Sequence, residues 1–440
     1  MTLSGWGRYP RIDAKLKAPR SEDEVRALVL QGDAIARGNG RAYGDSAVSR
    51  YNTVHMQHFN RMVSFDRDRG QLVAEAGVLL ADIINAFLPL GWFPYVTPGT
   101  KFVTLGGMIA ADVHGKNHHK DGSFGNYVDW IDVLVSDGSI KRCSRSENTD
   151  LFEWTVGGMG LTGILLRAAI FLRPITSAWI EQRTLVAENI SHAMELFEQS
   201  ADATYSVAWI DCLQQGQSMG RSLVMLGEHA DALAVPPQYR KTPLHISPRS
   251  KISIPIEFPS WTLNSLTVRA FNAFYYRNGQ RNRGQRLVGW DSYFYPLDAI
   301  LGWNKIYGRY GFAQFQCALP LEAADEGLKA LLSAIASAGV GSFLAVLKRF
   351  GKQNSKFSFP MEGYTLALDF PLNKRTMALM EKLDRITIEH GGRFYLAKDS
   401  RMSRDVFQAS ETRSLDYLSF RDAQAATGRF ASSQSERLGL

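Results

Sequence analysis

Three glycine-rich segments constrain this chain most strongly, at residues 36–46, 97–118 and 157–163. Glycine has no Cβ, so such segments can bring main-chain N–H groups close to an anion. The first segment alone indicates little: its GxGxxxG spacing differs from the Rossmann fingerprint, no helical pattern follows it, and a structural turn explains it equally well. Predicted hairpins separate the three segments, however, so turns alone do not explain them all. Together they predict one long diphosphate-bearing cofactor that lies across several loops.

The hydrophobic pattern predicts an α+β chain, and 440 residues are enough for two domains. The first part combines a helix at 22–30, capped by Ser21, with a strand at 34–36. Turn residues at 66–70 and 136–138 predict two hairpins, and apolar spacing predicts a helix at 80–88.

After about residue 174, longer strands alternate with two amphipathic helices. One helix is predicted at 323–338, and the other contains Leu379 and Leu383 and ends at the glycine pair 391–392. The stretch 236–267 contains four prolines before an apolar run at 252–266, and this run is predicted to form a mobile loop.

Composition limits the possible functions. The net charge of +7 is not gathered into Lys/Arg blocks. It therefore fits binding to an anionic ligand or a membrane surface better than binding to a nucleic acid. A charge balance without functional meaning explains it equally well. Cys143, Cys212 and Cys317 lack CxxC spacing, which indicates neither a disulfide framework nor a zinc knuckle and favours a reducing compartment. We find no signal-peptide pattern and no apolar run of the roughly 18 residues that a membrane span needs. A cytoplasmic protein is predicted, either soluble or peripheral at the inner face of the plasma membrane.

Several motifs carry a resemblance to a known family. They are Gly-Trp-Gly-Arg at 5–8, Arg-Gly-Asn-Gly-Arg-Ala-Tyr-Gly-Asp at 37–45, His-Gly-Lys-Asn-His-His at 114–119, Gly-Ser-Phe-Gly-Asn at 122–126 and Ala-Lys-Asp-Ser-Arg at 397–401. The chain resembles FAD-binding proteins of the vanillyl-alcohol-oxidase (PCMH) type and, among them, the decaprenylphosphoryl-β-D-ribose 2-oxidases. The resemblance implies an FAD-binding domain at 1–176, completed by 393–440, and an antiparallel-sheet substrate domain at 177–392.

The resemblance also implies how FAD is held. In many related oxidases a histidine of the first loop bonds covalently to the flavin, whereas the matching position here holds Arg41, so non-covalent FAD is expected. His114 is a second candidate for attachment. The implied cofactor-binding residues are Ala36, Arg37, Gly38, Asn39, Gly40, Arg41, Ala42, Tyr43, Gly44, Asp45, Ser46, Gly99, Thr104, Leu105, Gly106, Gly107, Ala111, Asp112, Val113, His114, Ile164 and Tyr395.

Oxidation of a secondary alcohol needs a base or a positive group beside the hydroxyl. The resemblance assigns this place to Lys398, for which a solvated surface lysine is the alternative. Alternation along the predicted strand 312–317 puts Gln314 and Gln316 on one face, which suits a hydroxyl-rich ligand or, alternatively, a solvated sheet edge. The implied catalytic residues are Lys398, His114, Tyr43 and Gln316. The implied substrate contacts are Lys116, Trp209, Gln314, Gln316, Lys348, Thr365 and Lys398.

Some of these positions have other interpretations. Tyr43, Lys116, Trp209 and Lys348 could equally be structural. His114, His118 and His119 suggest a metal, but no carboxylate or cysteine completes a ligand set nearby, so none is expected. Thr365 and Ala367 stand where mycobacterial relatives show an asparagine and a cysteine, which argues against any ligand that must react with a thiol there.

The resemblance implies a reaction on a sugar lipid. FAD would accept hydride from the ribose C2 of a polyprenyl-phosphoryl-β-D-ribose, giving the 2-keto sugar, the first half of epimerisation to the arabinose lipid donor for cell-wall arabinan. A companion NAD(P)H-dependent keto-sugar reductase would complete it, and no nucleic-acid partner is expected. The alternatives are a soluble aldose, alditol or aldonolactone oxidase of the same fold, and a flavoprotein without catalysis.

Overall fold

The computed structural model describes residues 1–246, 249–259 and 264–440. Its helices are α1 Glu22–Gln31, α2 Leu80–Phe87, α3 Leu105–Ala110, α4 His118–Asp121, α5 Thr149–Thr155, α6 Ile190–Gln199, α7 Ser265–Arg281, α8 Trp290–Phe294, α9 Ala324–Ala338, α10 Lys374–Glu389, α11 Arg404–Ser410, α12 Ser414–Ala423 and α13 Ser433–Leu438. Its strands are β1 Thr2–Leu3, β2 Ile12–Asp13, β3 Leu16–Lys17, β4 Ala34–Arg37, β5 Asn52–His55, β6 Met62–Asp66, β7 Gln71–Glu75, β8 Trp92–Pro94, β9 Val128–Leu134, β10 Ile140–Ser144, β11 Ile164–Pro174, β12 Trp179–Ala187, β13 Tyr205–Ile210, β14 Ser222–His229, β15 Ile252–Ser253, β16 Gly284–Gly289, β17 Ile300–Leu301, β18 Phe312–Pro320, β19 Ala345–Phe350, β20 Gly363–Pro371 and β21 Arg393–Phe394.

The first part of the chain folds around an antiparallel sheet with strand order β10-β9-β11-β7-β6, in which β8 pairs with the end of β11. Both predicted hairpins are confirmed, because β6 pairs with β7 and β9 with β10. Helix α1 is also confirmed, and Ser21 caps it by accepting a hydrogen bond from the amide of Glu24. Helix α2 buries Ile83, Ile84 and Phe87 in the core of this sheet.

The second part is built on an eight-stranded antiparallel sheet ordered β16-β12-β14-β13-β19-β20-β18-β21. Helices α6, α9 and α10 cover one face, where Leu328, Leu331 and Leu383 share a core with alternate strand residues. The predicted helices α9 and α10 are both present, and α10 ends just before Gly391, whose φ of +67° suits glycine. The α+β fold class is confirmed.

The two ends of the run 252–266 differ from its prediction as a loop. Ser247, Pro248 and residues 260–263 lie outside the described residues, but β15 pairs with β17, and α7 begins at Ser265. The end of the predicted loop is therefore helical. The sequence pattern concealed α7 because apolar residues occur on opposite sides of it: Val268 is buried, whereas Phe274 is exposed.

The chain crosses from the first sheet to the second after β11. The segment after α10 contacts both parts: β21 pairs with β18, whereas Phe430 bridges Ala34, and Arg437 forms an ion pair with Asp45. The domain limits 1–176 with 393–440 and 177–392 stay a prediction. Among the helices described, none has the length and apolar character to cross a membrane.

Candidate active site

A cavity of about 450 Å³ lies between the two sheets. One wall contains residues of all three glycine-rich segments, including Gly38, Gly106 and Gly160. The opposite wall is the face of the eight-stranded sheet that α6, α9 and α10 leave uncovered. The three segments therefore meet at one place, as the sequence predicts.

Close packing explains two glycines of the first wall. A Cβ added at Gly38 would lie 2.2 Å from Thr104 Oγ1, and one at Gly106 would lie 2.9 Å from the Cβ of Ala76. A Cβ at Gly99, in contrast, would meet no atom of the described residues within 4 Å. Gly38 and Gly106 thus permit loop packing, whereas Gly99 leaves free space on the cavity side.

The first glycine-rich segment offers hydrogen-bond donors to the cavity. Within the ranges that the structure describes, the amides of residues 39–42 donate to no protein acceptor. The guanidinium carbon of Arg41 lies 4.1 Å from the centre of a Trp6 ring, and its Nε is buried without a partner. Consecutive free amides beside a cation suit an anionic group such as a phosphate.

The predicted alternation along β18 is confirmed. Gln314 and Gln316 line the cavity, whereas Phe315 and Cys317 are buried in the core beneath α9 and α10. Successive residues of a strand point to opposite faces of the sheet, so the position of each residue along β18 decides whether its side chain reaches the cavity.

Neighbouring strands extend the polar face. Gln314 lies opposite Asp369 of β20, and Lys348 of β19 lies opposite Thr365. Trp209 of β13 lines the same cavity. Four adjacent strands therefore contribute to one wall.

His114 lies where the two walls meet. Gln316 Nε2 donates to His114 Nε2 at 3.1 Å and to Thr365 Oγ1 at 3.3 Å, which places the imidazole proton on Nδ1. Burial, and then the positive charge of Lys348, lowers the pKa of His114 well below its ordinary value, so the ring is neutral. His114 Nδ1 is buried and has no partner in the described structure, which leaves this N–H for a bound group.

Lys398 lies against Tyr43, with Nζ 3.7 Å from the ring centre. Burial lowers the pKa of Lys398, the nearby Asp369 opposes this shift, and Lys348 adds to it. Burial likewise raises the pKa of Asp369, although the hydrogen bond from Gln314 Nε2 to its Oδ1, 2.5 Å long, favours the carboxylate. Lys398 is therefore easier to deprotonate than an exposed lysine.

Two further lysines line the cavity, and neither forms an ion pair with any described residue. Lys116 donates to the main-chain oxygen of Tyr293, and its Nζ lies 4.1 Å from the centre of that ring. Burial, with a smaller contribution from Lys348, lowers the pKa of Lys116 to about 7. Burial lowers the pKa of Lys348 to about 8. Two half-buried cations without a carboxylate partner in the described chain favour an anionic ligand.

Most of the predicted site residues line this cavity, including all the predicted substrate contacts. Six predicted cofactor residues do not, namely Arg37, Gly44, Asp45, Leu105, Asp112 and Ile164. Asp45 instead binds Arg437, Asp112 accepts hydrogen bonds from two serine hydroxyls, and the side chains of Leu105 and Ile164 are fully buried. These side chains stabilise the loops that carry the wall.

Asp369 is not among the predicted site residues, although the sequence contains a signal for it. Alternation within β20 places Thr365, Ala367 and Asp369 on one face, and pairing with β18 brings that face to Gln314. Further cavity residues were not among the predicted contacts. Trp6 and Met159 belong to motifs noted above, whereas Tyr275, Phe294, Asp298 and Trp303 come from segments without a motif.

The three histidines considered for a metal have other partners. His118 Nε2 bonds Gln353 Oε1 at 3.0 Å, and His119 Nε2 bonds the main-chain oxygen of Ala203 at 2.7 Å. Among the residues described, no group of three or more His, Cys, Asp or Glu side chains is arranged to hold a metal ion.

Comparison with known proteins identifies the family. Residues 14–144 match the FAD binding domain family. The whole chain is 36% identical to decaprenylphosphoryl-β-D-ribose oxidase of Mycolicibacterium smegmatis and covers 97% of it. The chain belongs to this oxidase family. An uncharacterized protein of Streptomyces coelicolor is 31% identical over 82% of the chain and all of its own length. Mouse L-gulonolactone oxidase is 29% identical, over 34% of the chain and 36% of its own length.

Membership of this oxidase family makes the chain an FAD-dependent oxidoreductase with a vanillyl-alcohol-oxidase-type fold. The cavity fits that cofactor. It offers free amides at residues 39–42, an unpartnered N–H on His114 and open space beside Gly99. These groups match the phosphates and polar ring atoms of a dinucleotide.

Proposed function

We propose that this oxidase converts the ribose C2 hydroxyl of a polyprenyl-phosphoryl-β-D-ribose to a ketone. The observation that carries the proposal is the 36% identity, over the whole chain, to an enzyme named for such a sugar lipid. The cavity supports it, because amide side chains suited to sugar hydroxyls lie beside lysines suited to a phosphate.

We propose that FAD is held without a covalent bond. The free amides of residues 39–42 would bind its diphosphate, and His114 Nδ1 would donate to a polar atom of the cofactor or of the substrate. Arg41 occupies the place of the flavin-linked histidine of related oxidases, and its guanidinium stays protonated. The proposed contacts are Ala36, Gly38, Asn39, Gly40, Arg41, Ala42, Tyr43, Ser46, Gly99, Thr104, Gly106, Gly107, Ala111, Val113, His114 and Tyr395.

FAD supplies the acceptor for the hydride that leaves C2. Lys398 Nζ takes the proton of the C2 hydroxyl, for which its lowered pKa suits it. The Tyr43 ring restricts the position of that amine. Gln316, held by its hydrogen bonds to His114 and Thr365, orients a sugar hydroxyl for this transfer.

We assign the substrate phosphate to Lys116 and Lys348. Both are half-buried cations without a carboxylate partner in the described chain, and a phosphate would satisfy them. Trp209, Gln314 and Thr365 complete the proposed sugar site.

The product defines the next step and the place of the enzyme. A ketone at C2 has lost its stereocentre, so hydride delivered by a separate NAD(P)H-dependent reductase to the other face gives the epimer. We propose this sequence as the source of the arabinose lipid donor for cell-wall arabinan. Because the substrate is a lipid, we also propose that the enzyme works as a peripheral protein at the inner face of the plasma membrane.

The test is the visible spectrum of the FAD-loaded protein under anaerobic conditions. We expect polyprenyl-phosphoryl ribose to bleach the flavin band, whereas free ribose leaves it oxidised. Bleaching by free sugars or lactones, with no response to the lipid-linked ribose, would replace the proposal by a soluble aldose or aldonolactone oxidase. A flavin band that no alcohol bleaches would favour a flavoprotein without catalysis.

A further inference from the structure

The positive charge of the chain is concentrated in one segment. Between residues 240 and 286 there are nine basic residues and one acidic residue, so this segment carries +8, compared with +7 for the whole chain. In the part of the chain that the structure describes, none of the nine forms an ion pair, and the acidic Glu257 is bound to Arg8. The nine are Arg240, Lys241, Arg249, Lys251, Arg269, Arg277, Arg281, Arg283 and Arg286. Apart from Arg240 and Lys241 these residues are not consecutive, so they form no basic block in the sequence.

Helix α7, within this segment, has an exposed apolar stripe. Leu266, Ala270 and Phe274 follow at four-residue spacing and so lie on one side, where Leu266 is 76% and Phe274 70% exposed. Arg277 and Arg281 continue the same line. An apolar stripe that leads into exposed arginines is typical of surfaces that lie on membranes.

The other side of α7 is fixed to the eight-stranded sheet. Tyr276 is buried and donates its hydroxyl to the main-chain oxygen of Ala187 at 3.1 Å. Tyr275 packs against Trp209, with ring centres 4.8 Å apart, and lines the cavity. The helix therefore connects the exposed stripe to the proposed sugar site.

A second apolar segment borders the same cavity. Leu301 lines the cavity and is also 42% exposed, so the cavity reaches the surface there. The strand next to it holds Ile252, which pairs with Ile300 and is 69% exposed, and Ile256 nearby is 67% exposed. The opening of the cavity is thus bordered by apolar side chains of the basic segment.

We propose that the α7 surface, formed by α7 and residues 249–258, docks on a bilayer that contains anionic lipid. Exposed apolar side chains would enter the interface, and the basic residues would attract the anionic lipid headgroups. Charge selects this occupant over a second copy of the chain, because the α7 surface carries five basic residues and one acidic residue, so two such surfaces would place +4 against +4. The proposal rests on the proposed function for its purpose, which is to let a membrane lipid enter the cavity at Leu301.

The test is co-sedimentation of the FAD-loaded protein with vesicles of phosphatidylcholine alone or mixed equally with phosphatidylglycerol. We expect binding to the mixed vesicles only. The double variants Leu266→Ser with Phe274→Ser and Arg277→Glu with Arg281→Glu should each lose at least about tenfold in affinity. The matched controls Lys382→Glu with Arg385→Glu, exposed on α10, and Leu415→Ser, 70% exposed on α12, should bind like the parent protein.

Two results would overturn the proposal. One is an equal loss of vesicle affinity in the α7 variants and the controls, or no loss in either. The other is a parent protein that does not bind vesicles but forms a concentration-dependent dimer, which the α7 variants abolish. That result would assign the surface to a second copy of the chain.

The outcome is separable from that of the proposed function. A short-chain, water-dispersed prenyl-phosphoryl ribose should bleach the flavin of the α7 variants as it does that of the parent protein. The reason is that the changed residues do not line the cavity. A parent protein that binds vesicles but oxidises no such substrate would refute only the proposed function.

Discussion

Asp369 is held by Gln314, whose Nε2 donates to its Oδ1 at 2.5 Å across the β18–β20 pair. The amide of Asp369 donates to Ser342 Oγ at 2.9 Å, which fixes the main chain at the same point. Its other carboxylate oxygen is buried, and an interaction with the Tyr307 hydroxyl favours the carboxylate form. Burial nevertheless raises the pKa of Asp369 to about 7. When ionised, Asp369 favours the protonated amine of Lys398 against the effect of burial.

Replacing Asp369 should change the pH dependence of flavin reduction. Asp369→Asn removes the charge that raises the pKa of Lys398, so that pKa falls. Since the neutral amine accepts the proton, the acidic limb of the rate profile should move to lower pH. Anaerobic stopped-flow reduction across a pH series measures this. The control is Asp384→Asn, which changes a carboxylate that is paired with Arg401 and does not line the cavity. If the pH profile of the Asp369 variant is not shifted, Asp369 does not influence the pKa of Lys398.

Replacing Lys398 should distinguish proton transfer from charge. Lys398→Met and Lys398→Arg should both retain FAD but reduce it about 10²- to 10⁴-fold more slowly, because neither side chain can accept the hydroxyl proton. Flavin content and single-turnover reduction are the measurements. A Lys398→Arg variant that reduces flavin at nearly the parent rate would show that positive charge alone suffices there.

Binding of the substrate phosphate should weaken as pH rises. Lys116 and Lys348 attract an anion only when protonated, and burial lowers their pKa values to about 7 and about 8. Affinity for the phosphate is therefore highest below pH 7 and falls as the pH rises through about 7 to 8. The bound anion itself favours the protonated lysines, so the fall is shifted to somewhat higher pH. Titration of a non-oxidisable 2-deoxy prenyl-phosphoryl sugar, followed by the flavin spectrum, tests this. The double variant Lys116→Met with Lys348→Met should bind weakly at every pH; if it keeps the parent profile, the phosphate lies elsewhere.

Two glycines should respond differently to alanine. Gly38→Ala places a Cβ against Thr104 Oγ1, which caps α3 by accepting from the amide of Gly107, so the protein without FAD should lose about 1–3 kcal/mol of unfolding free energy. The added methyl group of Gly99→Ala meets no atom in the part of the chain that the structure describes, so this variant should keep that stability and weaken FAD binding. Denaturant unfolding and FAD titration measure the two effects. If both variants lose only stability, or both lose only affinity for FAD, the two glycines do not have these different roles.

The sequence was informative wherever local pattern and local structure coincide. The glycine segments, both hairpins, α9 and α10, and the alternation of Gln314 and Gln316 depend on neighbouring residues, and all are present. Asp369 required a sheet register, because only the pairing of β18 with β20 brings it to Gln314. Helix α7 required knowledge of its surroundings, since Phe274 is left exposed where an apolar residue predicts burial.

The ion pair between Asp45 and Arg437 has a consequence for how the enzyme is made. These residues are 392 positions apart, and Arg437 also binds Asp399, one residue after Lys398. During synthesis the first glycine-rich segment leaves the ribosome long before the residue that fixes it. We therefore expect newly made chains to remain unable to capture the flavin until Arg437 has emerged, so maturation follows translation rather than accompanying it.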